Sequence, residues 1–242
     1  MRGLLMSCQE IGLDPPPVSA DAFGGRDRIH AHTTRSADLA GRKKEAAIST
    51  PNRLEQLNDL RDRIGDCQRC KLYKGRTNLV FGEGSPEARL VFVGEGPGYD
   101  EDMAGRPFVG ESGKLLTRII ENGMGLTRND VYICNVVKCH PPKNRDPEKD
   151  EIEVCISFLR EQLRIIGPQV ICTLGRVAGQ ALMGTDFKIS AQRGGWHSYE
   201  GIPLMPTFHP AYLLRNPSAK RQVWEDIKKV MKRIGLEVKI QD

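Results

Sequence analysis

The alternation of short apolar stretches with helical segments constrains this fold more than any other sequence feature. Four apolar stretches are typical of strands, at residues 89–94, 131–137, 169–174 and 202–208. Residues with helical spacing follow at 112–122, 147–166, 175–183 and 218–234. This order predicts an α/β fold of three layers, in which helices cover both faces of a central, mostly parallel four-stranded sheet.

The first fifty residues have a different character. They contain three consecutive prolines, Pro15 to Pro17, and no sustained apolar period. Such a segment buries too little apolar surface to offset its ordering entropy. We therefore predict a flexible extension over residues 1–50, with a short helix near 42–49. One folded domain is expected over residues 51–242, beginning with a helix that starts at Pro51.

Composition excludes several classes of protein. The chain is 39% hydrophobic and 28% charged, which is ordinary for a globular protein. Its apolar runs are far shorter than the roughly 20 residues that cross a bilayer, and residues 1–6 lack the apolar run of an export signal. We expect a cytoplasmic protein without a membrane partner. The net charge of +5 permits a polyanionic partner without requiring one.

Polar side chains follow the ends of three predicted strands. Glu95 comes after the first strand, Asn135 lies at the end of the second, and His209 follows the fourth. Because ligands bind beyond the carboxyl ends of parallel strands, we predict an active site at this edge. Carboxylates such as Glu95 and Glu101 can orient water, and a histidine can donate a hydrogen bond to a developing anion. An asparagine can read an amide-like edge such as that of a pyrimidine.

A glycine-flanked loop, residues 105–110, carries the aromatic Phe108. Its ring can stack on a flat ligand or anchor the loop in the core. Gly105 and Gly110 have the spacing of a phosphate-binding loop, but Glu111 and Ser112 stand where Lys and Ser or Thr are needed. The loop therefore does not favour a nucleoside triphosphatase. We expect Ser112 to cap the next helix.

Six of the seven cysteines form two groups, and the seventh, Cys8, lies in the first fifty residues. Cys134 and Cys172 lie within apolar strands, so we predict buried core thiols. Four others occur in hydrophilic surroundings or on a predicted helix: Cys67, Cys70, Cys139 and Cys155. We predict that these four converge on one metal centre. Zinc and a four-iron cluster both accept four thiolates, so their residue types alone leave both open.

Several motifs, in order, resemble the family 4 uracil-DNA glycosylases. They are Gly94-Glu95-Gly96-Pro97-Gly98, Gly105-Arg106-Pro107-Phe108-Val109-Gly110, Asn135-Val136-Val137-Lys138-Cys139, the Pro141-Pro142 and Asn144-Arg145 pairs, and His209-Pro210-Ala211. The spacing of the four cysteines is also similar. The resemblance implies hydrolysis of the N-glycosidic bond of deoxyuridine in DNA by a monofunctional enzyme of base excision repair. It also implies a 4Fe-4S cluster held by those cysteines.

The resemblance further implies catalytic roles. Glu95 and Gly96 would place the attacking water, and Asn144 would assist from a following loop. Glu101 would close the side of the pocket that faces the pyrimidine 5-position. His209 would stabilise the departing uracil anion.

Binding roles follow from the same resemblance. Phe108 would stack on uracil, and Asn135 would read its amide edge. The segment Tyr212-Leu213-Leu214-Arg215 would enter the duplex and fill the gap that the flipped base leaves. We expect a monomer acting on uracil-containing DNA. The alternative is an iron–sulfur protein that binds uracil-DNA without catalysis or traps it covalently.

Overall fold

The computed structural model describes residues 52–237, and the predicted extension at 1–50, its helix near 42–49 and Pro51 lie outside that range. The centre is a six-stranded sheet in the order β1-β3-β2-β4-β6-β5. The strands are β1 Glu83–Gly84, β2 Leu90–Gly94, β3 Tyr132–Asn135, β4 Val170–Leu174, β5 His197–Tyr199 and β6 Ile202–Thr207.

The four predicted strands form the middle of this sheet and run parallel to one another. The prediction of four strands in total is wrong, because β1 and β5 add antiparallel edges. Both edge strands have only two or three residues. Strands this short leave too little alternation for a sequence pattern to detect.

Helices cover both faces of the sheet, which confirms the three layers. The helices are α1 Arg53–Ile64, α2 Tyr99–Ala104, α3 Glu111–Arg118, α4 Lys149–Ile166, α5 Arg176–Met183, α6 Ile189–Gln192, α7 Pro210–Arg215 and α8 Lys220–Arg233. Along β2, Val91 and Val93 face a core shared with α1 and α4, while Leu90 and Phe92 face one shared with α3 and α8.

The helix starts differ from the prediction in two places. The N-cap of α1 is Asn52, whose side chain accepts from the Glu55 N–H while the Glu55 carboxylate accepts from the Asn52 N–H. The N-cap of α3 is Gly110, so Ser112 lies inside the first turn and the prediction that it caps the helix is wrong. In the described part of the chain, no helix combines the length and apolar character needed to cross a membrane.

Candidate active site

A cleft of about 510 Å³ opens at the carboxyl edge of the parallel strands. This volume is within the range of sites for small organic groups. Of the site residues predicted from the sequence, those lining the cleft are Glu95, Gly96, Glu101, Phe108, Asn135, Asn144, His209 and Arg215. Leu213 and Leu214 do not line it. The fold thus gathers residues that are up to 120 positions apart in the chain, as the strand-end argument predicted.

Asn135 and Phe108 meet above the last residue of β2. A Cβ at Gly94 would lie 2.4 Å from Asn135 Oδ1 and 2.5 Å from Phe108 Cζ, so only glycine leaves room for both side chains. Asn135 Oδ1 is buried, and no described atom donates a hydrogen bond to it. A buried acceptor without a partner costs about 1–3 kcal/mol. This atom is therefore set to accept a hydrogen bond from a ligand.

Phe108 has a strained backbone. Its φ is 52°, in the left-handed region, which costs a bulky residue about 1–3 kcal/mol. The ring lies beside the His209 ring, with centroids 5.6 Å apart and planes tilted by 33°. The first turn of α3 approaches this backbone so closely that a Cβ at Gly113 would lie 2.0 Å from the Phe108 carbonyl carbon. This backbone conformation places an aromatic face at the cleft.

Glu101 is bound by backbone rather than exposed to a ligand. Its Oε1 accepts from the N–H groups of Val109 at 2.8 Å and Gly110 at 2.9 Å. Its Oε2 accepts from the Gly98 N–H at 3.1 Å. The side chain borders the cleft but its carboxylate is occupied. In this structure Glu101 holds the loop that follows Phe108, and its role in closing the side of the pocket that faces the pyrimidine 5-position stays a prediction.

His209 is a neutral donor. Burial lowers the pKa of His209 to about 4, and the Arg215 charge adds to this while Glu101 opposes it. The Ala211 N–H donates to His209 Nδ1 at 3.1 Å, so Nδ1 carries no proton. The proton of the neutral ring is therefore on Nε2. His209 therefore caps α7 through Nδ1 and retains one N–H donor on Nε2.

Glu95 and Asp146 form an acidic pair at the cleft. Burial, and after it the Asp146 carboxylate, raise the pKa of Glu95 to about 7 against the opposing charge of Arg176. Arg176 also forms an ion pair with Asp146. Sequence reasoning missed Asp146. The one signal for it is its position just after the Asn144-Arg145 pair, in a loop that follows a site strand.

The loop after β3 positions Asn144 by a local contact. His140 Nε2 and Asn144 Oδ1 are 2.8 Å apart, and Asn144 has a φ of 53°. Arg145 has a structural contact, because its guanidinium donates to both carboxylate oxygens of Glu151, at 2.7 and 2.8 Å. That contact fixes the start of α4 against the loop. Asn144 is thereby held at the cleft with its amide partly occupied.

The two leucines predicted to enter DNA have opposite environments. Leu213 is 1% exposed and packs into the core beside α3 and α8, so it does not fit that role. Leu214 is 43% exposed on α7, and its neighbour Tyr212 is 38% exposed. The wedge predicted for this helix therefore reduces to Leu214, with Arg215 at the rim of the cleft.

The four predicted metal ligands line one small cavity of about 10 Å³, away from the cleft. They are Cys67, Cys70, Cys139 and Cys155, and apolar side chains such as Phe158 complete the wall. Within residues 52–237 no three His, Cys, Asp or Glu side chains are grouped so that they could hold a metal ion. Cys134 and Cys172 are fully buried in strands, which confirms them as core thiols.

Two arginines donate to this group of thiols. Arg76 Nη1 lies 3.2 Å from Cys139 Sγ, and Arg69 Nη1 lies 3.2 Å from Cys67 Sγ. Cationic donors at sulfur are suited to thiolates, which carry negative charge. The four cysteines thus line one small cavity, and guanidinium donors contact two of them.

Comparison with known proteins agrees with this fold. Residues 81–228 match the family model "Uracil DNA glycosylase superfamily", so the chain belongs to that superfamily. A "Type-4 uracil-DNA glycosylase" of Sulfurisphaera tokodaii is 45% identical over 73% of this chain and 84% of the relative. Proteins of the same name match over 73% of this chain: that of Saccharolobus solfataricus is 44% identical over 86% of its length, and that of Thermotoga maritima 48% over 94%. Within the superfamily, the chain belongs to the type-4 uracil-DNA glycosylases.

Proposed function

We infer that this chain is a uracil-DNA glycosylase of DNA repair, which hydrolyses the bond between uracil and deoxyribose. The observation that carries the role of the cleft is the buried Asn135 Oδ1 without a donor. Uracil carries an N3–H donor beside the O4 acceptor, and an Asn amide offers the complementary acceptor and donor. We propose that Asn135 reads this edge while Phe108 stacks on the ring.

Bond cleavage places negative charge on uracil and positive charge on the sugar. The electron pair of the C1′–N1 bond leaves with uracil and spreads onto O2. We propose that His209 Nε2–H donates to O2, a contact that strengthens as the charge develops. Its low pKa and the Ala211 N–H at Nδ1 support this donor. A neutral imidazole can stabilise the anion without transferring a proton.

Water completes the reaction by adding its oxygen to C1′ and releasing a proton. We propose that ionised Glu95 orients this water and accepts the proton, with Asn144 assisting from the loop after β3. The raised pKa of Glu95, about 7, supports a base that works near neutral pH. The described residues that line the cleft include no lysine, which supports hydrolysis without a Schiff base.

DNA must present uracil outside the base stack. Flipping costs a few kcal/mol, and an apolar side chain in the vacated space offsets part of this. We propose that Leu214 is this side chain, since it is exposed beside the cleft. Arg215 at the rim is placed to meet the phosphate backbone.

The test is incubation with an oligonucleotide carrying one uracil, followed by alkali cleavage at abasic sites and chromatography of the free base. Matched oligonucleotides with thymine or cytosine are the controls. We expect free uracil, an abasic site, and multiple turnovers without strand cleavage before alkali. Binding without release of uracil would favour the non-catalytic alternative, and a protein–DNA adduct stable to denaturation would favour covalent trapping.

We also propose that the four cysteines hold a 4Fe-4S cluster. Their shared cavity and the arginine donors support this, as does membership of the type-4 family. When bound, such a cluster would be held by Cys67 and Cys70 after α1, by Cys139 in the loop after β3 and by Cys155 on α4. It would tie these three segments together. Iron and zinc analysis of the purified protein tests the assignment.

We propose, finally, one globular domain over residues 51–242 that acts as a monomer in the cytoplasm. Reduced thiols at all four cluster positions suit that compartment. Sedimentation velocity tests the monomer, and cell fractionation tests the location.

A further inference from the structure

Arg128 donates hydrogen bonds, from outside the cleft, to the loop of residues 105–110, which we name the Phe108 loop. Nη1 donates to the Phe108 carbonyl at 3.1 Å, and Nη2 donates to the Pro107 carbonyl at 2.7 Å. Nη1 also donates to Thr117 Oγ1 of α3 at 2.9 Å. One guanidinium therefore binds two successive carbonyls of the loop and the helix that follows it.

Glu83 anchors this arginine to the sheet. The Glu83 side chain on β1 accepts from Arg128 Nε at 2.9 Å and from Nη2 at 2.5 Å. Both side chains are mostly buried, with 16% exposure for Arg128 and 19% for Glu83. Arg106, which is 62% exposed, also pairs with Glu83 but donates to neither of those loop carbonyls.

The Phe108 loop is thus held from two sides at its strained residue. Glu101 accepts from the N–H groups of Val109 and Gly110 on the cleft side, while Arg128 donates to the carbonyls of Pro107 and Phe108 on the outer side. Together these contacts fix the orientation of the peptide groups on both sides of Phe108, whose φ of 52° is unfavourable without such support.

We propose that Arg128, anchored by Glu83, is a positioning residue that holds the Phe108 ring in place to stack on uracil. This rests on the proposed function, because it requires Phe108 to contact the base. Arg128 touches no substrate. It acts through the backbone of Phe108, so its effect should exist only while the Phe108 ring is present.

A double-mutant cycle tests the proposal. The variants are Arg128→Met, Phe108→Ala and the two combined, with Arg106→Gln as the matched control that removes the other Glu83 partner. Methionine keeps an unbranched side chain and removes all five donors. Three quantities are measured on each full-length protein: the inhibition constant of free uracil, the single-turnover rate on uracil-DNA, and Tm.

Arg128→Met is expected to weaken free-uracil inhibition and slow single turnover, each about tenfold, the order that base stacking on an aromatic ring contributes. In the Phe108→Ala background the same change should add less than twofold, and Arg106→Gln alone should stay within twofold of the parent. Glu83→Gln, measured in parallel, should give a smaller loss that Phe108→Ala likewise abolishes, and it carries the test if Arg128→Met does not fold.

Two results would overturn the proposal that Arg128 positions the Phe108 ring. One is a lower Tm with unchanged uracil inhibition and rate, which is what a purely structural arginine gives. The other is a loss of uracil inhibition and rate on Arg128→Met that is equally large with and without Phe108→Ala, so that the two losses multiply in the double variant. If Phe108→Ala alone changes neither uracil inhibition nor the single-turnover rate, Phe108 does not stack on uracil. The positioning role of Arg128 is then refuted as well.

Discussion

The charge of Asp146 is expected to set the pH at which Glu95 works, and Asp146→Asn tests this. Burial is the main cause that raises the pKa of Glu95 to about 7, and part of this rise comes from the negative Asp146 carboxylate, which disfavours a second negative charge nearby. Asparagine keeps the shape and removes the charge, so the pKa of Glu95 falls. Asp146 is 60% exposed, so solvent screens it and we expect a fall of about 0.5–1 unit.

The size of the effect follows from the ionised fraction of Glu95. At pH 6 a group of pKa about 7 is about 9% ionised, and a pKa of about 6–6.5 raises this to roughly 24–50%. Single-turnover excision should then be about three- to fivefold faster than in the parent at pH 6. At pH 8.5 both proteins have Glu95 almost fully ionised, so the two rates should agree.

The assay is the single-turnover rate of uracil release from pH 5 to 9, with enzyme in excess over DNA. Arg176→Gln is the matched control of opposite sign, because Arg176 lowers the pKa of Glu95. Its profile should move towards alkaline pH. If neither variant moves the profile, or if Glu95→Gln retains the parent's rate and pH dependence, ionised Glu95 is not the group that activates water.

Three further changes test the other assignments. His209→Ala should slow single turnover about 100-fold or more while affinity for uracil-DNA changes little, because its donor acts mainly on the developing anion; equal losses in both, or a lower Tm alone, would contradict this. Asn135→Asp should lower uracil excision steeply, since an ionised carboxylate cannot donate to O4, and parental rates would remove Asn135 as the reader. Cys155→Ser should lose iron and lower Tm while Cys172→Ala keeps its iron, and stoichiometric zinc in the parent protein would refute the iron cluster.

The local sequence predicted those elements that local chemistry controls. Each of the four central strands is an apolar run, and α4 has an apolar period over 18 residues, so both could be recognised without the fold. The convergence of Asn135 and His209 was also predictable, because parallel strands end at one edge. The family motifs, read in order, carried the function.

Other features depend on which distant groups meet. Glu101 is three residues after Gly98, the spacing of a helix-capping glutamate, but its bonds to Val109 and Gly110 exist only because the chain folds back past it. In the same way, the raised pKa of Glu95 depends on burial and on Asp146, which is 51 positions away.

Leu213 and Leu214 show the division most clearly. They are adjacent, identical in type and equally suited to a wedge in sequence terms, yet one is 1% and the other 43% exposed. Adjacent residues on a helix point about 100° apart, so the face that packs on α3 and α8 must bury one and expose the other. The sequence determined that an apolar residue stands beside the cleft. The packing of α7 decided which one, because burial depends on the neighbours of a side chain and not on its type.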